Sequence, residues 1–263
     1  MLSIEQELCI QCGACVTECN CDCLKIENGE VKHDSTNCIS CGHCLAVCPR
    51  DAILLDGDGY DVEEVEEFSF VRKATKNQIR RDIMMRRSVR SFNEFRVTSE
   101  DIASIIEAAK YSPTAKNIQK NALKVLATPA EVDEVLVDLM EKIGEMAQTM
   151  EESNPKIAAF FQKKYDEFKE GIDGLFYGAP VVFLVFAPDD IDGALCAGTM
   201  GRMIESLELG YCYIKLAAIA MDQPDLRKKY NIPDDLHCVL AVAVGHYDAD
   251  YFCSVPRKDI TLL

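Results

Sequence analysis

The amino-acid sequence predicts an α+β protein of two domains, a small cysteine-rich domain followed by a larger mixed domain. Ten of the fourteen cysteines lie before Tyr60, and beyond it amphipathic helix patterns alternate with short apolar runs. The longest apolar runs, such as Ala179–Ala187 and Cys238–Gly245, have the length of a strand and are too short to cross a membrane. We therefore expect a soluble, cytoplasmic protein with domains at 1–60 and 83–263 and a linker at 61–82.

Charge and motif content exclude several classes of function. The formal net charge is −16, and phosphate backbones attract clustered lysine and arginine, so we expect no nucleic-acid partner. The four histidines are single residues without the spacing of a metal site. The sequence contains neither a serine-nucleophile motif nor paired carboxylates, so the catalytic residues stay unknown.

Two cysteine runs organise the first sixty residues. Each has the spacing C-x2-C-x2-C-x3-C, and the second run repeats the first at an offset of 29 residues. Three closely spaced thiolates on one tight loop can reach three irons of a cubane, while the fourth iron needs a more distant donor. The spacing therefore predicts two [4Fe-4S] clusters. The runs are Cys9, Cys12, Cys15 and Cys19, followed by Cys38, Cys41, Cys44 and Cys48.

Two other uses of these eight cysteines are less compatible with the pattern. A disulfide framework needs an oxidising compartment, and we expect no signal peptide before the cysteines. Structural zinc usually uses two separated C-x2-C pairs, not a triplet plus one cysteine repeated twice. Cys21 and Cys23 exceed the ligand count, and they are either alternative ligands or small buried side chains in a strand.

Residues 1–60 resemble a bacterial two-[4Fe-4S] ferredoxin, a βαββαβ unit with pseudo-twofold symmetry, although Asn20 replaces the proline that usually follows the first run. In such proteins the fourth cysteine of each run binds the other cluster. One cluster is then held by Cys9, Cys12, Cys15 and Cys48, and the other by Cys38, Cys41, Cys44 and Cys19. Asn28-Gly29 predicts a two-residue hairpin turn between the central strands.

The larger domain is predicted from residue patterns in chain order. An acidic linker at 61–71 precedes a basic segment, Arg72 to Arg90, that contains eight bases and one acid. The elements predicted after it are a helix from Ser99 to Lys110, a strand at Ala122–Ala127, two or three helices in Ala130–Gly171, a strand at Val181–Ala187, a helix at Asp192–Leu209 capped by Gly210, and a strand at Cys238–Gly245.

The sequence R-R-S-V-R-S-F, Arg86 to Phe92, resembles the opening of the FMN-dependent nitroreductase family, and the similarity continues to the C-terminus. A dianionic flavin phosphate needs cationic donors and hydroxyls, and arginine supplies a fork matched to phosphate oxygens. The resemblance implies that the phosphate, ribityl chain and ring edge are bound by Arg86, Arg87, Ser88 and Arg90.

Three later segments extend this resemblance. S-P-T-A-K-N-I-Q is similar to a second flavin loop, often supplied by the partner subunit, and Y-C-Y-I-K-L-A-A-I-A to the segment that lays backbone amides against the ring edge. S-V-P-R-K is similar to the C-terminal basic motif that returns to the phosphate. The flavin contacts implied by these segments are Pro113, Thr114, Asn117, Lys215, Leu216 and Arg257. The small residues of Asp192–Leu209 match the family's dimer-forming helix, although core packing explains them equally well.

Together the two resemblances predict an oxidoreductase in which single electrons pass through two [4Fe-4S] clusters to FMN. The flavin would then reduce an electron-poor acceptor, such as a nitroaromatic or a quinone, by two electrons. A fused cluster pair has little purpose if hydride reaches FMN in one step, so we expect a low-potential one-electron donor such as ferredoxin or flavodoxin. A homodimer is also expected. The alternative is a relay that passes electrons to a partner protein without a small-molecule substrate.

Overall fold

The computed structural model describes residues 2–57, 59–61, 63, 65, 66 and 73–263. The chain divides into two compact units: the first comprises Met1–Lys73 with Ala115–Ile118, and the second comprises Ala74–Thr114 with Gln119–Leu263. The boundaries predicted at 60 and 83 stay predictions, and most of the predicted acidic linker lies outside the described residues.

No helix within the described ranges is long and apolar enough to span a membrane.

The first unit has the predicted element order βαββαβ. Strand β1 pairs antiparallel with β4, and β2 pairs antiparallel with β3. Asn28 and Gly29, between β2 and β3, have φ values of 52° and 80°, the left-handed conformation that a tight hairpin turn requires. The elements are β1 (Leu2–Ile4), α1 (Ala14–Glu18), β2 (Leu24–Glu27), β3 (Glu30–His33), α2 (His43–Ala46) and β4 (Ile53–Leu55).

The second unit is built on one antiparallel sheet with the strand order β5-β6-β8-β7. The helix Lys76–Met85 lies mostly inside the segment predicted as a linker. The elements are α3 (Lys76–Met85), α4 (Ser99–Lys110), β5 (Ala122–Leu126), α5 (Pro129–Met150), α6 (Pro155–Lys169), β6 (Val181–Ala187), α7 (Asp190–Ser206), β7 (Gly210–Ile214), α8 (Lys215–Met221), α9 (Pro224–Lys229) and β8 (His237–Gly245).

Helices α4 and α5 begin at capping boxes that are visible in the sequence. The Thr98 hydroxyl accepts a hydrogen bond from the Asp101 amide at 3.0 Å, and the Asp101 carboxylate accepts one from the Thr98 amide at 3.0 Å. Thr128 and Glu131 pair in the same reciprocal way. Each box satisfies backbone N–H groups that have no partner inside the helix, and so determines where the helix starts.

Strand β6 is buried at all seven of its positions, as its continuous apolar run predicts. Side chains from α5 and α8, including Leu139 and Ala217, cover one face of the sheet. Side chains from α4 and α7, including Ile105 and Met200, cover the other. A strand covered on both faces needs apolar residues at consecutive positions, which explains the absence of alternation.

The prediction that Gly210 caps the long helix is wrong, because α7 ends at Ser206 with Leu207 as its C-cap and Gly210 begins β7. Glu208 adopts the left-handed conformation between them, with φ 58°. A β-carbon at Gly210 would lie 2.6 Å from the Tyr247 ring and 2.7 Å from Val89. Glycine is therefore required there for close packing, not for helix termination.

Two glycines of α7 provide a matched test of this packing. A β-carbon at Gly193 would lie 2.4 Å from Val239 Cγ2, whereas one at Gly198 would have no neighbour within 4 Å. We expect Gly193→Ala to lower the free energy of unfolding by about 1–3 kcal/mol, the usual effect of overpacking. In the monomeric chain Gly198→Ala should raise it by about 0.5–1 kcal/mol, because alanine favours the helix. Urea denaturation followed by circular dichroism measures both, and equal shifts would contradict this packing.

Candidate functional site

Two cavities in the first unit are lined by cysteines from both runs. Helix α1 leads from the first triplet towards Cys19, and helix α2 leads from the second triplet towards Cys48. The fourth cysteine of each run therefore lies away from its own triplet and lines the cavity of the other run's triplet. The first cavity contains Cys9, Cys12, Cys15 and Cys48, and the second cavity contains Cys19, Cys38, Cys41 and Cys44. These are the two sets that the ferredoxin resemblance implies. Among the described residues, no three potential ligands converge as closely as a single metal ion requires.

The backbone of the two cysteine loops is nearly identical. Gly13 and Gly42 have φ values of 75° and 73°, and Gln11 and Ser40 are also left-handed, at 56° and 50°. Left-handed residues within such turns create concavities of N–H groups that bind anions, including iron–sulfur clusters. A β-carbon at Gly13 would approach no protein atom closer than 3.7 Å, so the glycine is required by its backbone conformation.

The fourth cysteine of each run accepts a backbone hydrogen bond from the residue four positions later. The Cys23 amide donates to Cys19 Sγ at 3.3 Å, and the Ala52 amide donates to Cys48 Sγ at 3.3 Å. Hydrogen bonds to ligand sulfurs stabilise thiolate charge and are one of the means by which proteins set cluster potentials. The donor set, the loops and these amides all fit [4Fe-4S] clusters.

The two additional cysteines bond to protein acceptors. The Cys23 thiol is buried and donates to the Cys21 carbonyl oxygen at 3.4 Å, and burial raises the pKa of this thiol to about 11. The Cys21 thiol donates to Asn20 Oδ1 at 3.4 Å. Cys23 therefore has the features of a protonated packing residue, although both side chains line the second cavity.

The second cavity also contains His33 and His43, for which the sequence predicts no site. His43 Nδ1 lies 3.4 Å from Glu18 Oε1. The 29-residue offset could have assigned both histidines to this cavity, because they occupy the repeat positions of Ile4 and Ala14, which line the first cavity.

In the second unit, the segment Arg86–Arg90 runs alongside the first residues of β7. Ser88 forms a parallel bridge with Tyr211, and the Val89 amide donates to the Tyr211 carbonyl at 2.9 Å. Arg86 is the C-cap residue of α3, and Ser88 and Arg90 follow it on this segment. Burial raises the pKa of the Cys212 thiol, and these three residues partly oppose that rise. The structure therefore brings three predicted flavin-binding residues together.

Arg87 points to a different set of partners. Its guanidinium donates to the carbonyl oxygens of Met84, Arg86 and Cys253, each at 2.8 Å. It also lies over the Tyr251 ring, 6.0 Å from the centroid. Arg87 thus ties the motif to the C-terminal segment, and its predicted flavin contact stays a prediction.

A cavity of about 660 Å³ lies beside this motif, and Arg86, Arg87 and Tyr211 are among its lining residues. Its volume is within the range of small-molecule pockets. The lining is mixed in charge, since it includes Arg202 but also several carboxylates. Burial raises the pKa of the Glu205 carboxyl although Arg86 lowers it, and burial also raises the pKa of Tyr211.

The second predicted flavin loop is divided between the two units. Pro113 is exposed, and Thr114 Oγ1 accepts a hydrogen bond from the Gln119 amide at 3.0 Å. Asn117 belongs to the first unit, where its side-chain amide donates to the carbonyl oxygens of Ile39 at 3.1 Å and Ser40 at 3.0 Å. These contacts hold Asn117 against the loop between Cys38 and Cys41.

The remaining predicted flavin contacts have other partners or are exposed. Lys215 opens α8, and its ammonium donates to the Val239 carbonyl at 2.9 Å and to Asp190 Oδ1 at 3.3 Å. Leu216 is half-buried against the core that includes α5 and α8. Arg257 is exposed in the segment after β8. Their roles at a flavin stay predictions.

Comparison with known proteins identifies both parts of the chain. A model of the nitroreductase family matches residues 83–246, and a model of a 4Fe-4S dicluster domain matches residues 8–52. An FMN reductase (NADPH) from Bacillus subtilis (strain 168) is 27% identical over 170 residues. The aligned region is 62% of this chain and 64% of that protein, so the chain spans just under two thirds of that relative.

Solved structures support the same fold. Nitroreductases with bound FMN from Bacteroides fragilis NCTC 9343 and Desulfitobacterium hafniense DCB-2 both superpose with a TM-score of 0.56, at 20% and 22% identity. Each comparison covers 72% of this chain and 100% of the other. The predicted α+β class and both sequence resemblances are confirmed. Because the family model matches more than half of the chain, this protein belongs to the nitroreductase family, and its residues 8–52 form a 4Fe-4S dicluster domain.

Proposed function

We propose that this protein is an FMN-dependent, iron–sulfur oxidoreductase of the nitroreductase type that reduces an electron-poor small molecule, such as a nitroaromatic or a quinone. Its cofactors are FMN and two [4Fe-4S] clusters. The proposal rests mainly on one observation: a chain with the nitroreductase fold also has two cavities, and the lining of each includes one of the two sets of four cysteines that two clusters need. The FMN-bound relatives and the matched 4Fe-4S domain support the same cofactors.

The arginine-rich motif fits a flavin phosphate. Arg86, Ser88 and Arg90 all lie close enough to the Cys212 thiol to lower its pKa, so two guanidinium groups and a hydroxyl are available near one another as donors. The hydrogen bonds of Arg87 to three carbonyls hold this motif to the chain around Cys253, so the donors are fixed before a ligand binds. When bound, FMN supplies the redox chemistry, and the chain supplies binding and orientation.

We further propose a homodimer that uses the exposed side of α7. Ile191 and Leu195 are 71% and 44% exposed there, and Gly198 has open space in place of a side chain. Exposed apolar side chains next to a glycine allow a second helix to approach closely. Gly201 has a different role, because a β-carbon there would lie 2.4 Å from the Tyr213 hydroxyl of the same chain.

The electron source distinguishes this chain from the relative named for NADPH. We propose a low-potential one-electron carrier, such as ferredoxin or flavodoxin, because two clusters accept electrons singly whereas a nicotinamide delivers a hydride. If carriers reduce the cofactors but no small acceptor is turned over, the protein is instead a relay to a partner protein.

Anaerobic turnover with alternative donors tests this proposal in the full-length chain. Reduced ferredoxin or flavodoxin should support nitroaromatic or quinone reduction faster than NADH or NADPH. Replacing Cys12 and Cys48 together by alanine should abolish most carrier-driven turnover, because both line the first cavity. Any NADPH-driven turnover should persist in that variant, and the control Cys253→Ser, an exposed cysteine outside both cavities, should match wild type. Faster turnover with NADPH in wild type would contradict the proposed donor.

A further inference from the structure

The two cysteine cavities are related by the 29-residue repeat but are not chemically equivalent. Residues that line the first cavity have counterparts 29 positions away in the sequence that line the second, so their side chains can be compared directly. The first cavity has apolar side chains at four positions where the second has side chains with N–H or S–H groups, and at a fifth position the first cavity has the exposed Arg50 where the second has Cys21. The four pairs are Ile4 and His33, Ala14 and His43, Pro49 and Asn20, and Ala52 and Cys23.

His33 is the member of these pairs that has a buried polar atom without a partner. It is the last residue of β3, paired with Leu24, and its backbone position is therefore fixed by the hairpin. Its Nε2 atom is buried and has no hydrogen-bond partner in the part of the chain that the structure describes. Such atoms are rare in native proteins, and a ligand bound beside the atom can supply the missing hydrogen bond.

The neighbouring thiols do not provide the missing partner. The Cys23 thiol donates to the Cys21 carbonyl, and the Cys21 thiol donates to Asn20 Oδ1. The ligand thiolates and inorganic sulfides of a cluster would be hydrogen-bond acceptors only. Next to such acceptors, the imidazole tautomer with hydrogen on Nε2 can donate that hydrogen.

We propose that His33 donates a hydrogen bond from Nε2 to a sulfur atom of the cluster in the second cavity and raises the reduction potential of that cluster above that of the other. A hydrogen bond to sulfur strengthens when reduction adds negative charge, so it favours the reduced state. Ile4 offers no such donor to the first cavity. This inference rests on the cluster ligation proposed above, and it predicts that a single electron added to the pair resides on the second cluster.

Reciprocal substitutions in the holoprotein test the potentials. Anaerobic redox titration with dithionite, followed by electron paramagnetic resonance, should show two midpoints in wild type. His33→Ile introduces the residue found at the equivalent position and should lower only the higher midpoint. The equilibrium constant for transfer of one electron from the first cluster to the second should fall about tenfold, which corresponds to about 59 mV. Ile4→His should raise the lower midpoint. His237→Ala is the control, because His237 belongs to the second unit and lines neither cavity, and it should leave both midpoints in place.

Nitrogen coupling gives a readout that does not depend on the potentials. After labelling with [15N]histidine, electron spin-echo envelope modulation spectroscopy of the one-electron-reduced protein should detect a weakly coupled histidine nitrogen. The coupling should disappear in His33→Ile and persist in His43→Ala. Two outcomes would overturn the role of His33 without contradicting the cluster ligation. One is full iron content with unchanged midpoints in His33→Ile, and the other is the absence of nitrogen coupling in wild type. Iron well below about eight atoms per chain in wild type would instead contradict the cluster ligation. If His33→Ile does not assemble clusters, Ile4→His and the wild-type coupling still decide.

Discussion

Replacing Cys12 and Cys48 together by alanine should remove one cluster and leave the other intact. Both residues line the first cavity, whereas all four cysteines of the second cavity remain in this variant. Iron and acid-labile sulfide should fall from about eight to about four atoms each per chain. Metal analysis, sulfide analysis and the visible spectrum of anaerobically purified protein measure this loss.

A second pair of cysteines tests the exchange of ligands between the runs. Cys12 and Cys19 belong to the same run but line different cavities. Replacing both should leave each cluster with three ligands, so both clusters should become labile or lose iron. If each run instead held its own cluster, the outcomes of the two pairs would be exchanged. Cys21→Ser and Cys23→Ala should each retain the wild-type iron content.

The structural consequence of losing clusters should also be large. One buried apolar cluster in the described part of the first unit consists of Cys15, Leu24, Val31, Cys44 and Ile53, and two of these five residues are proposed ligands. A unit of this size buries only a small apolar core and is marginally stable by itself, and metal binding then supplies folding free energy. Cluster loss should therefore unfold the first unit before the second, as measured by proteolysis of the apoprotein.

Arg86→Ala should weaken the binding of FMN about 10- to 150-fold and weaken the binding of riboflavin much less. A hydrogen bond to a charged group contributes about 1.5–3 kcal/mol, and riboflavin lacks the phosphate that would receive it. Fluorescence titration of the apoprotein with each flavin measures the two affinities. Arg257→Ala should show the same selectivity if the C-terminal segment binds the phosphate.

Two other substitutions serve as controls for this experiment. Arg86→Lys keeps the positive charge but loses the planar fork, so FMN binding should be intermediate. Arg202→Ala removes an arginine that lines the same 660 Å³ cavity but lies outside the motif, and its FMN affinity should match wild type. Equal losses of FMN and riboflavin in Arg86→Ala would show that the residue does not act through the phosphate.

The sequence alone was sufficient wherever a short pattern determines the structure. The hairpin at Asn28-Gly29 and the start of α4 near Ser99 form as predicted, because turn and capping chemistry depend on residues within a few positions. The two cysteine sets match those that the resemblance to a two-cluster ferredoxin implies, in which the fourth cysteine of each run joins the triplet of the other.

Only the tertiary structure decided the features that depend on distant residues. Gly210 begins a strand because Tyr247 and Val89 occupy the space where a β-carbon would lie. Arg87 is held partly by the carbonyl of Cys253, 166 residues away, which no local pattern in the motif indicates. The Nε2 atom of His33 is buried without a partner among the described residues because of where the repeat folds back on itself. A sequence motif specifies which chemical groups are present, but packing between distant segments determines which of them are free to bind a ligand.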